Sequence, residues 1–178
     1  QWGDQIPYEI NISFIDSMKG TFLGNDNHQV ARFICAHTMM LSFEGIPAIY
    51  IHSLLGTKNN YQTENLVRDN RIINRYCWEK DDIYKLLNNS ESLNAIILHK
   101  LNHLLKIRIL QPAFHPNATQ FTLNLGNQIF GLWRQDIDRN QSIFCIFNIT
   151  SNDQEITLES INLIETDDWF DLISKRQF

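Results

Sequence analysis

The sequence predicts an α/β segment over residues 1–111 followed by an antiparallel β-rich domain over residues 112–178. Three observations carry this reading. The apolar residues recur at three- and four-residue steps before Gln111 and Pro112, and alternate in short runs after them. A nearly continuous apolar run, Ala48-Ile49-Tyr50-Ile51-His52, lies between two helical patterns. Beyond Pro112, clusters of Gly, Asn, Asp and Ser punctuate the chain at the intervals of a strand-and-turn fold.

The first helix is expected over residues 28–43, where Val30, Phe33, Ile34, His37 and Leu41 share one face and Gly45 and Pro47 close the segment. The run 48–52 then reads as a buried strand, because parallel strands covered on both faces are apolar throughout. Residues 57–75 are polar, rich in Asn and Arg, and aperiodic. So long a loop inside a compact domain is functional or disordered. A short helix is expected over 79–87 and a longer one over 93–109, with Leu93, Ile96, Ile97, Leu101, Leu104 and Leu105 as its apolar stripe and Asn89-Ser90 as its capping signal. Strands are expected over 120–125, 128–134, 142–149 and 155–158, separated by Gly126-Asn127, by 136–140 and by Ser151-Asn152-Asp153.

Composition narrows the function classes. With 178 residues, 43% of them hydrophobic and 20% charged, the chain can offset the ordering entropy of a compact fold. A net charge of −5 and a pI near 5.6 disfavour nucleic acid and membrane surface as partners, since both need clustered Lys and Arg. No apolar run reaches the length of a spanning helix, and residues 1–11 lack the basic and apolar parts of an export signal, so a soluble, cytoplasmic protein is expected. Cys35, Cys77 and Cys145 are odd in number and set among apolar or aromatic residues, and are expected to be reduced core thiols.

The common chemical motifs are absent. His99 and His103 stand one helical turn apart but lack the Glu of the metalloprotease motif and a third ligand, so a solvated or helix-packing pair is expected, not a metal site. No glycine-rich phosphate loop and no nucleophile elbow is present, and the Asn-x-Ser/Thr triplets are attributed to chance in an Asn-rich chain. The crowd of Arg68, Asp69, Asn70, Arg71, Asn74 and Arg75 is more informative. An arginine presents a rigid fork of donors suited to hydroxyls, carboxylates and phosphates, although the same residues could form a solvated loop paired with local carboxylates. Trp133, Phe130 and Trp169 could stack on sugar faces, or fill the core of the β domain.

Four blocks carry a family resemblance: Pro7-Tyr8-Glu9-Ile10-Asn11, the run from Gly45 through Tyr50 and His52 to Gly56, Asn70-Arg71-Ile72-Ile73-Asn74-Arg75, and Pro112-Ala113-Phe114-His115-Pro116. In this order and spacing they resemble the C-terminal part of sucrose-phosphorylase-like enzymes of the α-amylase superfamily, glycoside hydrolase family 13. The resemblance implies the C-terminal end of a (β/α)₈ barrel, with 28–43 as its seventh helix, 45–56 as its eighth strand and exit, and 93–109 as its eighth helix, followed by a β-rich C-terminal domain that is incomplete beyond Trp169. Ile51-His52-Ser53-Leu54-Leu55 stands where many amylases carry a Tyr-Gly-Asp-Glu type sequence, which points to the phosphorylase-like branch.

The implied parent enzyme transfers glucose from sucrose or a related α-glucoside to phosphate through a covalent β-glucosyl intermediate. Retaining chemistry of this kind needs two carboxyl groups about 5 Å apart. In the family these lie after the fourth and fifth strands, upstream of this chain, so no catalytic residue is expected here and the chain alone is expected to be inactive. A complete barrel takes about 250 residues, and Gln1 in place of Met agrees with a fragment. Carried over singly, Arg71 matches an arginine that binds the donor glucosyl unit. Tyr8 and Glu9 align with a mobile Tyr-Gln pair that contacts acceptor or phosphate, and Glu9 departs from it because a carboxylate repels phosphate. His52 sits at the strand end where barrel enzymes place functional groups, the alternative being a structural role. The partners implied are an α-glucoside and inorganic phosphate, with a homodimer left open and no cofactor or metal. An amylase-type hydrolase and a non-catalytic carbohydrate-binding module are the competing readings.

Overall fold

A computed structural model describes residues 10–61, 70–161 and 168–177. The chain divides into two compact units, residues 1–33 with 49–99 and residues 34–48 with 100–178.

The first unit opens with α1 (Phe14–Ser17), whose preceding Ser13 accepts a hydrogen bond from the Asp16 amide. A small hairpin of β1 (Gly20–Thr21) and β2 (Gly24–Asn25) follows. Helix α2 (Gln29–Ser42) starts in this unit, where Phe33 is buried and packs its ring 5.3 Å from that of Phe14. The expected strand at 48–52 is not formed: Ala48–Tyr50 is unpaired, and α3 (Ile51–Leu54) takes the rest. A buried parallel strand gains its backbone hydrogen bonds from neighbours far away in sequence, and no described segment supplies one. Chain that cannot pair across a sheet satisfies its amides locally, here through Ser53 and Leu54 amides donating to the Tyr50 carbonyl.

The described residues of the polar stretch after α3 are tied to the rest of the unit by hydrogen bonds. The Asn59 amide donates to Asp16 at 2.6 Å, the Ser13 amide donates to the Asn59 side chain at 2.6 Å, and the Asn60 amide donates to the Ile73 carbonyl. A 3-10 helix (Asn70–Asn74) precedes α4 (Lys80–Asn88) and α5 (Leu93–Ile109). The start of α5 is capped by Ser92, not by Asn89-Ser90: its hydroxyl accepts from the Ala95 amide at 3.0 Å and donates to the Leu86 carbonyl. Gly56 sits at φ +58°, in the left-handed region, and a Cβ there would lie 2.5 Å from Cδ1 of the fully buried Ile97. Gly56→Ala is expected to cost about 2–3 kcal/mol from backbone strain and overpacking together, read as a shift in the urea midpoint at unchanged slope.

The second unit is built on an antiparallel sheet, β3 (Thr119–Leu123), β4 (Ile129–Gln135) and β5 (Ser142–Asn148), in the order β3-β4-β5. Pairing Leu132 with Cys145 and Phe130 with Phe147 puts these four on one face. On that face Leu132, Cys145 and Phe147 form a buried cluster with Phe114, against which Cys35, Met39, Phe130 and Ile143 pack. Gly126, at φ +85°, makes the tight turn expected between the first two strands. Residues 155–158 form no strand; Leu158–Ile161 is a 3-10 turn.

Two arginines close the end of α2. The last carbonyls of a helix lack intrahelical donors and carry partial negative charge, so cations suit them. Arg108 donates to the Leu41 carbonyl at 2.8 Å and to those of Gly45 and Phe114 at 3.2 Å. Arg134, an inward position of β4 with no exposed surface, donates to Ser42 at 3.0 Å and to His115 at 3.3 Å. Both guanidinium groups lie over the Phe114 ring, at 5.5 and 5.8 Å.

The cysteines divide. Cys145 is buried and Cys35 half-buried, and burial raises both thiols, as core thiols should be. Cys77 is exposed, which corrects the expectation that all three lie in the core. It follows Tyr76, whose ring packs edge-on at 4.7 Å against Trp78, so the aromatic flanks bury each other instead of the thiol between them.

Candidate functional site

Within the first unit, the segment from Tyr50 to Thr57 and the 3-10 helix at 70–74 converge on two hollows. One, of about 400 Å³, is lined by Tyr50, Asn74 and Arg75. The other, of about 200 Å³, is lined by residues that include Ser13, Tyr50, His52, Thr57 and Asn74. Ile12 and Phe14 also line the smaller one. The amide oxygen of Asn74 is buried with no partner among the described residues, and buried polar atoms are normally paired.

His52 is half-buried on α3, with its ring edge-on to Tyr50 at a centroid distance of 5.0 Å. Its Nδ1 lies 3.3 Å from the Thr57 hydroxyl, which also accepts from the Trp78 indole nitrogen at 3.0 Å. A hydroxyl that accepts from an indole keeps one proton to donate and a second lone pair, so it can serve Nδ1 of either neutral tautomer. Burial pulls His52 below its ordinary value of 6.5, because desolvation penalises the imidazolium. The unfolded state therefore binds a proton more readily, and the stability contributed by neutral His52 is complete above about pH 6.5 and is lost as pH falls through that value toward the folded-state pKa. An NMR titration of the ring protons is expected to place the His52 midpoint below the ordinary value of 6.5; a midpoint at or above 6.5 would contradict the burial argument.

Arg71 is half-buried on the 3-10 helix and engaged in an interaction, whereas Arg75, just beyond that helix, is exposed. The two arginines thus share neither burial nor environment, which a purely solvated loop would give them. Tyr8 and Glu9, and with them Arg68 and Asp69, lie outside the described residues. Thr57, the partner of His52, is itself held by Trp78, and the sequence singles out neither. Their hydrogen bond joins residues 21 apart, and no local pattern announces it.

Other candidates are placed elsewhere. His99 and His103 are each exposed on α5, as a solvated pair should be, and no group of three or more His, Cys, Asp or Glu among the described residues could hold a metal ion. Trp133 stacks on Phe144 at 5.8 Å and lies 4.9 Å from Phe121, while Trp169 meets Phe144 edge-on at 4.9 Å. Phe130 stacks on Phe147 of the buried cluster. Phe147 is buried, Phe130, Trp133, Phe144 and Trp169 are half-buried, and Phe121 is exposed. No helix among the described residues is long and apolar enough to cross a membrane.

Comparison with known proteins supports the family resemblance: the chain's relatives are sucrose-phosphorylase-like enzymes of the α-amylase superfamily. In particular they are glucosylglycerate phosphorylases. The chain is 33% identical over 161 residues to that of Escherichia coli (strain K12), covering 90% of this chain and 28% of the relative. It is 32% identical over 166 residues to that of Allomeiothermus silvanus, covering 93% of this chain and 29% of the relative, and 29% identical over 156 residues to that of Spirochaeta thermophila, covering 88% and 26%. The chain thus spans less than a third of the length of these relatives. No family model matches it.

Proposed function

We propose that the protein carrying this chain is a retaining α-glucoside phosphorylase that transfers a glucosyl unit to inorganic phosphate, and that its glucoside is glucosylglycerate in preference to sucrose. The observation that carries the reading is similarity along nine-tenths of the chain to three glucosylglycerate phosphorylases from different organisms. In this reading residues 1–111 complete a (β/α)₈ barrel and 112–178 form the β-rich domain behind it. The nucleophile and the acid/base lie outside this chain, which is inactive alone.

The residues present bind and orient. Arg71 holds hydroxyls of the glucosyl unit while positive charge grows at its anomeric carbon, a fixed fork of donors being suited to that task. His52, kept neutral and held by Thr57, lines the sugar site at the barrel mouth, with Tyr8 and Glu9 on the acceptor side. A cytoplasmic protein, working as a monomer or homodimer without cofactor, fits these parts. The test is substrate competition: with phosphate present, the protein carrying this chain is expected to release glucose 1-phosphate from glucosylglycerate with a kcat/KM well above that for sucrose. Equal or reversed preference would overturn the choice of glucoside. Release of free glucose at the same rate without phosphate would make the enzyme an amylase-type hydrolase.

A further inference from the structure

Arg75 lines the larger hollow. It directly follows the 3-10 helix at 70–74, is exposed, and makes no side-chain hydrogen bond or ion pair with the described residues. The chain is acidic overall, with 20 carboxylate side chains against 15 basic ones, so local carboxylates are plentiful, yet none of those described pairs with it. Facing the same hollow is Tyr50, 56% exposed, whose phenol is a neutral donor and acceptor. The hollow therefore offers one guanidinium fork, one phenol and one amide, in a volume of about 400 Å³ suited to a small polar molecule.

We propose that Arg75 reads the carboxylate of a small hydroxy acid in this hollow, with the Tyr50 phenol and the Asn74 side chain taking its hydroxyls. The proposal rests on the phosphorylase reading and adds the residue that distinguishes an acidic aglycone from a neutral one. A single guanidinium matches a carboxylate with two parallel hydrogen bonds and one cancelled charge. Phosphate, a mixture of mono- and dianion at neutral pH with more acceptor oxygens than one fork can serve, calls for more donors and charge than one arginine gives, so the hollow suits a carboxylate better. Discrimination arises because a neutral aglycone leaves the guanidinium without a counter-charge.

The test is a calorimetric titration of the protein carrying this chain with glycerate and with glycerol, its neutral counterpart. The wild type is expected to bind glycerate about 10- to 100-fold more tightly than glycerol, the range of a charge-assisted hydrogen-bond pair. Arg75→Leu is expected to erase that preference, and Arg75→Lys to keep part of it, as a point charge without the planar fork. Equal binding of glycerate and glycerol by the wild type, or an unchanged preference in Arg75→Leu, would overturn the proposal. So would a loss of phosphate affinity in Arg75→Leu with glycerate affinity intact, since the anion would then be phosphate. Failure of the phosphorylase reading has a separate signature, the absence of glucose 1-phosphate formation by the wild type, and leaves the glycerate titration interpretable.

Discussion

Replacing Arg134 by alanine is expected to lower the free energy of unfolding by about 2–4 kcal/mol. Two effects oppose each other. The guanidinium is fully buried with no ion pair among the described residues, its Nε likewise has no partner there, and burial depresses its pKa more than the Glu44 charge raises it, so keeping the charge inside costs desolvation. Against this, it satisfies the carbonyls of Ser42 and His115 and lies over the Phe114 ring. Leaving the buried Ser42 carbonyl without this donor costs about 1–3 kcal/mol, whereas the exposed His115 carbonyl keeps the Ala118 amide, and removing the buried stem opens a void. The losses exceed the relief. Arg134→Met separates them: it restores most of the volume but none of the hydrogen bonds, and is expected to fall between wild type and alanine in urea-unfolding midpoint. A methionine variant more stable than wild type would mean that the charge is a net burden and that the end of α2 does not need it.

Arg71→Ala in the protein carrying this chain is expected to lower kcat/KM for the glucoside by about 10²–10³, the cost of removing a positioned donor from a site where charge develops. The guanidinium is half-buried on a short 3-10 helix, and Ile73 of the same turn is buried and accepts from the Asn60 amide, so the backbone under Arg71 is fixed. Fixed backbone makes a side chain effective as a positioning group, because less freedom remains to be lost when the sugar binds. A structural role predicts a different pattern, a lower melting temperature with kcat/KM within about twofold of wild type at a temperature where the variant is folded. Arg71→Lys is expected to recover little, since a point charge does not replace a planar fork.

What was legible in the sequence follows from how local each signal is. Helices α2 and α5 satisfy their own backbone, so their apolar spacing suffices to place them: Phe33, His37 and Leu41 on the one, Ile97, Leu101 and Leu104 on the other are buried as the pattern requires. Strands β3, β4 and β5 find their partners through short turns, and their ends fall within two residues of the expected ones. The run 48–52 fails the same reading because its pairing depends on neighbours that the described residues do not include. Arg134 is the least legible core residue: an arginine inside an alternating strand reads as solvent-facing, and only the carbonyls at the end of a helix 92 positions earlier explain its burial. In the candidate site, the arginine-rich turn and His52 could be singled out by composition and order. Their roles could not be separated, because Arg71 and Arg75 differ in burial and engagement, which one sequence does not display.

The most direct test of the central claim is proton NMR of the sugar product formed by the protein carrying this chain from glucosylglycerate and phosphate. A double displacement through a glucosyl enzyme preserves configuration at the anomeric carbon. The account predicts α-glucose 1-phosphate as the first product, accumulating in step with free glycerate. First appearance of β-glucose 1-phosphate, or of glucose with phosphate unconsumed, would contradict it.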